Sequence, residues 1–597
     1  MICRFCGYLL FKVFRRVMKR LLVCPEQLTA VKEAELSGIP IVYLPLHRSH
    51  LDYLLITWTV WHFGIRLPHI ASGNNLNLSG FGWLLRGTGA FFIRRRLSPD
   101  DEASQDELLY RTVLNQYMVE LLKAGLSIEF FLEGTRSRFG KTLLPKNGLI
   151  SNVVDAVESG VIPDVWLVPV SFSYDNVIEG MFYDELLGIR KEKESVMGVI
   201  KGIYKSFGEQ GRCGTVMMNF GTPVRLTAYK RSLEERIAMD QFYLKYAPNP
   251  NSYRELLPWH NVRTPNRTLI RAIGFHLVSD AQENRPISVS SIAALLICSK
   301  YNELGKNSAK LWEFSEEIRL LCEEIKNLGF EVIGGTNEIE MEDKKFAQLL
   351  VKEAIYYLGD SETFGSIATG NAIIGTHIGN ESYLNFSTER HALMDLCYKK
   401  NSAIVPYLLH SAISIVILAT AKIVDGKIIV EDLIDNTLHI TDLLQCEVIF
   451  CKPCENLESL ISKLANELLR NTIEGNTSVE NVGNLMLAFN LTFYANILKP
   501  FLLTLLIVTN YFLRFPNSTP QLRDIDFIRK FLEERIQSAS YLDAEALNSD
   551  SIYNSIKLLR QKGVISMNGL ELNDEDQAQQ IVHIIGDKFK IQSAFVI

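Results

Sequence analysis

The residues best placed to do chemistry begin at His47. The run HRSHLD at 47–52 puts an imidazole five positions ahead of a carboxylate. In one regular helix that spacing would point the two side chains about 140° apart. With His47 in a strand-to-helix turn and Asp52 in the first helical turn, the carboxylate can fold back onto the ring. An Asp–imidazole hydrogen bond fixes the tautomer and raises the basicity of the other ring nitrogen, which makes His47 a candidate general base for a hydroxyl. His50 lies only two positions from Asp52, a poor spacing for such a bond. Ser49 suits a helix N-cap and does not stand on a Gly-x-Ser-x-Gly elbow.

Two further runs carry cations. FFIRRR at 91–96 ends an apolar strand in Arg94, Arg95 and Arg96. Strand ends in α/β domains are where anionic ligands bind, although a solvated charge run reads the same way. FFLEGTRSRFGKT at 130–142 invites a phosphate-loop comparison, but five residues separate Gly134 from Gly140. That loop has four before its Gly-Lys. Arg136 and Arg138 instead offer planar forks to phosphate oxygens, or to a structural ion-pair network. Gly134 permits a sharp bend, and Glu133 either holds an arginine or binds a substrate hydroxyl. In VPVSFSYD at 168–175, Pro169 is expected to end strand hydrogen bonding locally and to shape a pocket wall. Cys446, Cys451 and Cys454 lie close together, but a single CxxC without a second pair reads as plain thiols before a metal site. Together these features suit a base that activates a hydroxyl of a phosphorylated acceptor for attack on an activated acyl donor. A thioester donor needs neither metal nor cofactor, only hydrogen-bond donors for its carbonyl oxygen.

The elements that must position these groups are legible up to about residue 230. Residues 39–46 read as a buried strand, 50–63 as an apolar helix, 89–96 as a short strand and 101–124 as a helix. Residues 127–134, 165–175 and 214–226 read as further strands. Short apolar strands alternating with helices predict an α/β domain with a largely parallel sheet flanked by helices over 39–230. Residues 1–38 read as a helical segment in which Arg4, Lys12, Arg15, Arg16, Lys19 and Arg20 mix with Leu9, Leu10, Phe14, Val17, Met18 and Leu21. Such a basic amphipathic helix suits an anionic membrane surface, or packs with a solvated basic face. Residues 231–597 read as a mostly helical region. Within it, 401–421 has no charged residue and 482–513 only Lys499, long enough for membrane spans, interfacial helices or buried core helices.

Composition sets the outer limits. The chain has 597 residues, 47% hydrophobic and 22% charged, which excludes wholesale disorder and fibrous repeats. Its formal net charge of −6 makes a global attraction for nucleic acid unexpected, so an anion site must be a local basic cluster. Ten cysteines in a chain this long do not make a disulfide scaffold.

In this order and at these spacings, HRSHLDYL, GAFFIRRR, FFLEGTRSR and VPVSFSYD resemble the four blocks of the glycerol-phosphate acyltransferases. PHIASGNNLN, IPDVWLVPVSFSYDNVIEG and LLGIRKEKES look like the mitochondrial-type glycerol-3-phosphate acyltransferases in particular. The resemblance implies His47 as general base and Asp52 as its partner. It implies Arg94 or Arg95, with Arg136 and Arg138, on the phosphate of sn-glycerol 3-phosphate. Glu133, Gly134 and Ser137 would shape the acceptor site, and Pro169 would lie along the acyl-CoA side. Acyl-CoA would be a co-substrate, no cofactor would be needed, and the product would be 1-acyl-sn-glycerol 3-phosphate, the first step of glycerolipid synthesis. The implied location is a membrane, the mitochondrial outer membrane with the catalytic domain facing the cytosol. The N-terminus looks shorter than that of animal relatives, so a targeting or membrane-contact region is expected to be missing. The dihydroxyacetone-phosphate acyltransferase of ether-lipid synthesis is the alternative. A peroxisomal Ser-Lys-Leu-like ending would be expected of it, where this sequence ends Phe595-Val596-Ile597.

Overall fold

The computed structural model describes residues 2–74, 81–94, 104–177, 213–233, 235, 265–301, 308–334, 358, 373–378, 381–387, 390–420, 423–424, 427–428, 430–474, 482–516, 528, 545–566 and 569–591. The N-terminal region runs α1 (Ile2–Val17), β1 (Arg20–Val23), α2 (Pro25–Leu36), β2 (Ile41–Pro45), α3 (Asp52–His62), β3 (His69–Gly73) and α4 (Phe81–Gly87). It continues through β4 (Ala90–Ile93), α5 (Gln105–Lys123), β5 (Ile128–Glu129), α6 (Gly148–Glu158), β6 (Trp166–Tyr174), β7 (Thr215–Phe220) and β8 (Val224–Arg225).

The strands form one sheet in the order β1-β7-β6-β2-β5-β3-β4, with β8 also on β6. The pairs from β6 through β2, β5 and β3 to β4 run parallel, as does β1 with β7. Strand β7 joins β6 antiparallel, as does β8. The burial of β2 shows why the sheet is covered on both faces. Successive side chains of a strand alternate between faces. Val42 and Leu44 enter the core under α5 and α6, whereas Ile41 and Tyr43 enter the one formed with α1, α2 and α3. A strand buried on both sides must be apolar throughout, which is the continuous IVYLP run.

The α/β expectation therefore holds, with local differences. Arg20–Val23 is a strand of this same sheet, so the stretch 1–38 is not purely helical and does not stand apart from it. The expected strand at 127–134 is regular only over Ile128–Glu129, and the residues after Phe130 form a loop that carries side chains to the site. The expected strand at 214–226 divides at Gly221–Pro223 into β7 and β8. Pro169 does not end its strand, because β6 runs on to Tyr174. The proline has no N–H to offer. It sits where β7 gives way to β8, and its carbonyl accepts from the Gly221 N–H at 2.8 Å.

The C-terminal region contains α7 (Pro265–Glu283), α8 (Val289–Leu296), α9 (Leu311–Asn327), α10 (Arg390–Lys400), α11 (Leu408–Thr420) and α12 (Val430–Leu443). It closes with α13 (Leu457–Glu474), α14 (Val482–Arg514), α15 (Ser549–Gln561) and α16 (Glu575–His583). It is mostly helical as expected, but Ile373–Ile378 and Glu381–Phe386 form an antiparallel pair joined by Ser308–Lys310. The two uncharged segments pack against each other as α11 and α14. Leu491–Arg514 is long and apolar enough to cross a membrane, yet 89% of its most apolar window is buried within the protein. Helices α10 and α11 meet at a 70° bend. One apolar core runs without a break from β2, β5 and α6 into α7, α8, α11 and α14.

Candidate active site

The parallel strands deliver the site. Ligands of open α/β sheets bind beyond the carboxyl ends of the strands. Here β2 ends two residues before His47, β4 ends at Ile93 just before Arg94, and β5 leads into the loop that bears Glu133 to Arg138. The chain after β2 turns sharply into α3, whose first residue is Asp52.

Asp52 is fully buried and organises that turn. Its Oδ2 accepts from the N–H groups of Arg48 at 2.7 Å and Ser49 at 2.9 Å, and lies 3.1 Å from His47 Nδ1. Its Oδ1 accepts from the Tyr174 hydroxyl at 2.6 Å. The first turn of a helix favours negative charge, and each of these groups can donate to the carboxylate. A carboxylate can only accept, so the His47 proton belongs on Nδ1 and Nε2 keeps its lone pair. The imidazole packs on the Phe131 ring with centroids 4.1 Å apart, which holds its plane. Ser49 is not an N-cap; that position is Leu51. The Ser49 hydroxyl accepts from Leu51 N–H at 3.2 Å and is buried.

His47 opens onto a cavity of about 660 Å³. Arg94, Gly134, Arg136 and Arg138 line the same cavity, together with Arg111 of α5 and Lys146. No Asp or Glu lies among its lining residues that the structure describes. Arg94 stacks over the Tyr110 ring at 4.8 Å, and its N–H donates to that hydroxyl at 2.8 Å. Ile70, Ile93, Leu114, Phe130 and Leu149 give the cavity an apolar part beside the cations. Gly134 has φ +68°, a left-handed conformation that glycine adopts without strain, and a Cβ there would push the Lys146 side chain aside.

Glu133 and Ser137 stand behind this surface. Both are buried and neither lines the cavity. Glu133 Oε2 accepts from His47 N–H at 2.5 Å and its Oε1 from Leu143 N–H at 2.7 Å, with Arg48 Nη1 3.8 Å away. Burial pushes this carboxyl above its ordinary value, and Arg48 with the two N–H groups pulls the other way. Ser137 N–H donates to the His47 carbonyl at 2.9 Å. The two residues tie the arginine loop to the histidine turn. Pro169 lies inside the sheet opposite Leu44 and away from the cavity lining. Arg95 falls outside the described residues. Cys446 and Cys451 are buried and Cys454 half-buried, and no cluster able to hold a metal occurs among the described residues.

Residues 182–568 match the model for the glycerol-3-phosphate acyltransferase C-terminal region, and residues 25–173 match the acyltransferase model. The probable mitochondrial glycerol-3-phosphate acyltransferase of Caenorhabditis elegans is 40% identical over 94% of this chain and 79% of its own. The chain belongs to the glycerol-3-phosphate acyltransferase family. The mitochondrial glycerol-3-phosphate acyltransferase 1 of Mus musculus is 30% identical over 69% of this chain, which covers about half of that protein, 48%. A solved 1-acyl-sn-glycerophosphate acyltransferase from Thermotoga maritima aligns at 19% identity over 38% of this chain and 79% of its own, with a TM-score of 0.20.

Three residues of this acyltransferase-family site escaped motif reasoning. Tyr174 lies in the fourth block, but nothing local ties it to Asp52, 122 positions away. Arg111 sits in a helix of ordinary charge pattern, and Lys146 follows the loop without a motif of its own. Tyr174→Phe would leave Asp52 Oδ1 without that donor in a buried setting. The expected cost is about 1–3 kcal/mol, read as a lower denaturation midpoint; an unchanged midpoint would refute this role for the tyrosine.

Proposed function

We propose that this protein transfers a fatty acyl group from acyl-CoA to the sn-1 hydroxyl of sn-glycerol 3-phosphate, giving 1-acyl-sn-glycerol 3-phosphate and CoA. The observation that carries the proposal is the pairing within one cavity of an Asp52-braced His47 with Arg94, Arg111, Arg136, Arg138 and Lys146. A dianionic phosphate fits that field, and its bound position would bring the acceptor hydroxyl to His47 Nε2.

In this mechanism Nε2 takes the hydroxyl proton as the oxygen attacks the thioester carbonyl. Asp52 stabilises the imidazolium that forms. The tetrahedral intermediate then breaks its C–S bond, and the leaving CoA sulfur takes the proton back from His47. The buried, non-lining Ser49 is unsuited to form an acyl-enzyme, which favours direct transfer. The apolar wall of Ile70, Ile93, Leu114 and Leu149 suits the acyl chain.

We also propose that the reaction runs at a membrane, in the mitochondrial outer membrane with the catalytic domain toward the cytosol. The word mitochondrial in the relatives' names supports the organelle. Helix α1 packs Phe14 and Val17 inward and leaves Phe5, Tyr8, Leu9 and Phe11 exposed beside Arg4, Lys12 and Arg15, a face suited to anionic lipid. Flotation with anionic vesicles is the expected outcome, and a protein that stays in the dense fraction would remove this part.

The test of activity uses purified protein, radiolabelled glycerol 3-phosphate, dihydroxyacetone phosphate in parallel, and a panel of acyl-CoAs. Labelled lysophosphatidate is expected, with glycerol 3-phosphate preferred. Arg136→Ala is expected to raise KM for the acceptor about 10- to 100-fold, the equivalent of one hydrogen bond to a charged group. Equal KM values in variant and wild type would contradict the phosphate assignment.

A further inference from the structure

We propose that the C-terminal helical region is part of the acceptor site, with Asn401 and Arg285 as positioning residues for the loop that carries Arg136 and Arg138. This rests on the reading of those arginines as phosphate ligands. The problem they pose is physical: a loop that aims two guanidinium groups into one cavity must be held in place before the anion arrives.

The N-terminal region holds the flanks of the loop. Arg48 donates to the Lys141 carbonyl at 3.0 Å and to Thr142 Oγ1 at 3.1 Å, and Glu133 accepts from Leu143 N–H. The stretch directly after Arg138 is gripped from the other half of the chain. Asn401 Nδ2 donates to the Phe139 carbonyl at 3.0 Å. Arg285 reaches the Gly140 carbonyl at 3.5 Å with one nitrogen and donates to the Ser402 carbonyl with the other. Gly140 has φ +77°, and a Cβ there would run into the Tyr398 carbonyl. The Lys141 ammonium pairs with Glu447 and lies 4.7 Å over the Phe501 ring.

These partners are buried: Asn401 and Phe139 at 0% exposure, Arg285 at 3% and Lys141 at 2%. Burial pushes Arg285 down to about 9, with Arg48 acting the same way and Glu133 opposing. Charges are kept in such places only where paired, and removing a partner is costly. The grip is itself fixed. Asn401 stands at the 70° bend between α10 and α11, and its neighbour Lys400 forms a fully buried ion pair with Glu545 at 2.6 Å. The bend that interrupts an otherwise apolar segment is thus where the chain meets the arginine loop.

The test measures inorganic phosphate binding by calorimetry alongside steady-state kinetics, on the full chain. Asn401→Ala is expected to weaken phosphate and raise KM for glycerol 3-phosphate about tenfold, the equivalent of one buried hydrogen bond, with kcat and KM for acyl-CoA nearly unchanged. In an Arg136→Ala background the same substitution is expected to add little, because it acts through that loop. Arg285→Lys, which keeps charge but loses the fork, is expected to fall between. Should Asn401→Ala fail to fold by circular dichroism, Gly140→Ala carries the same test from the loop side. Folded variants that bind phosphate like wild type, or an Asn401→Ala effect undiminished by Arg136→Ala, would overturn the proposal. Phosphate calorimetry needs no acyl transfer, so loss of the enzymatic reading and loss of the grip are separately visible.

Discussion

A carboxylate removed from water must be surrounded by donors, and the arrangement of this site follows from where Asp52 finds its own. Two are the backbone N–H groups of Arg48 and Ser49, one is the His47 ring and one is the Tyr174 hydroxyl. Meeting those needs forces residues 47–52 into a tight turn between β2 and α3. It also binds β2 to the end of β6 and leaves one imidazole nitrogen to face the cavity. An unpaired buried charge would cost several kcal/mol, so the histidine is oriented by a constraint the fold cannot relax cheaply.

Glu133 repeats the device one strand over. It binds the His47 N–H and the Leu143 N–H, and it sits in the field of Arg48 and Arg285. The result is a separation of charge by depth. Carboxylates lie beneath the site, in contact with backbone donors, while the charged residues on the cavity lining are cations among the described residues. An anion entering such a cavity meets a local cluster of positive charge. A third buried carboxyl, Glu129 in β5, is pushed well above its ordinary value by burial and then by Asp52. It is therefore the member of this group best suited to be neutral, which avoids a second charge beside Asp52.

The strands are legible in the sequence only in part, for reasons visible in particular residues. The buried runs 41–45 and 166–174 announced themselves because strands covered on both faces must be apolar throughout. The break at Gly221–Pro223 was present in the sequence as a glycine and a proline, yet the apolar run hid it. Near 373–386, Gly379-Asn380 between two runs is a hairpin signal that a helix-like neighbourhood masked. At the site, His47, Asp52, Arg136 and Arg138 were readable because their chemistry is local. Tyr174, Arg111 and Lys146 were not, since only tertiary packing brings them there. Glu133 and Ser137 were found as residues, but spacing could not tell a side chain that lines a cavity from one that braces it. The uncharged stretch from Asn401 reads equally as membrane span, interfacial helix or buried core, and its beginning is buried against the arginine loop.

The claim on which the account stands is that His47, held by Asp52, removes the acceptor proton. Its most direct measurement is the single-turnover rate of acyl transfer from acyl-CoA to saturating glycerol 3-phosphate in His47→Ala, with phosphate binding measured on the same preparation. The account predicts transfer lowered by at least about 100-fold while phosphate still binds. Wild-type turnover in a folded His47→Ala protein would contradict it.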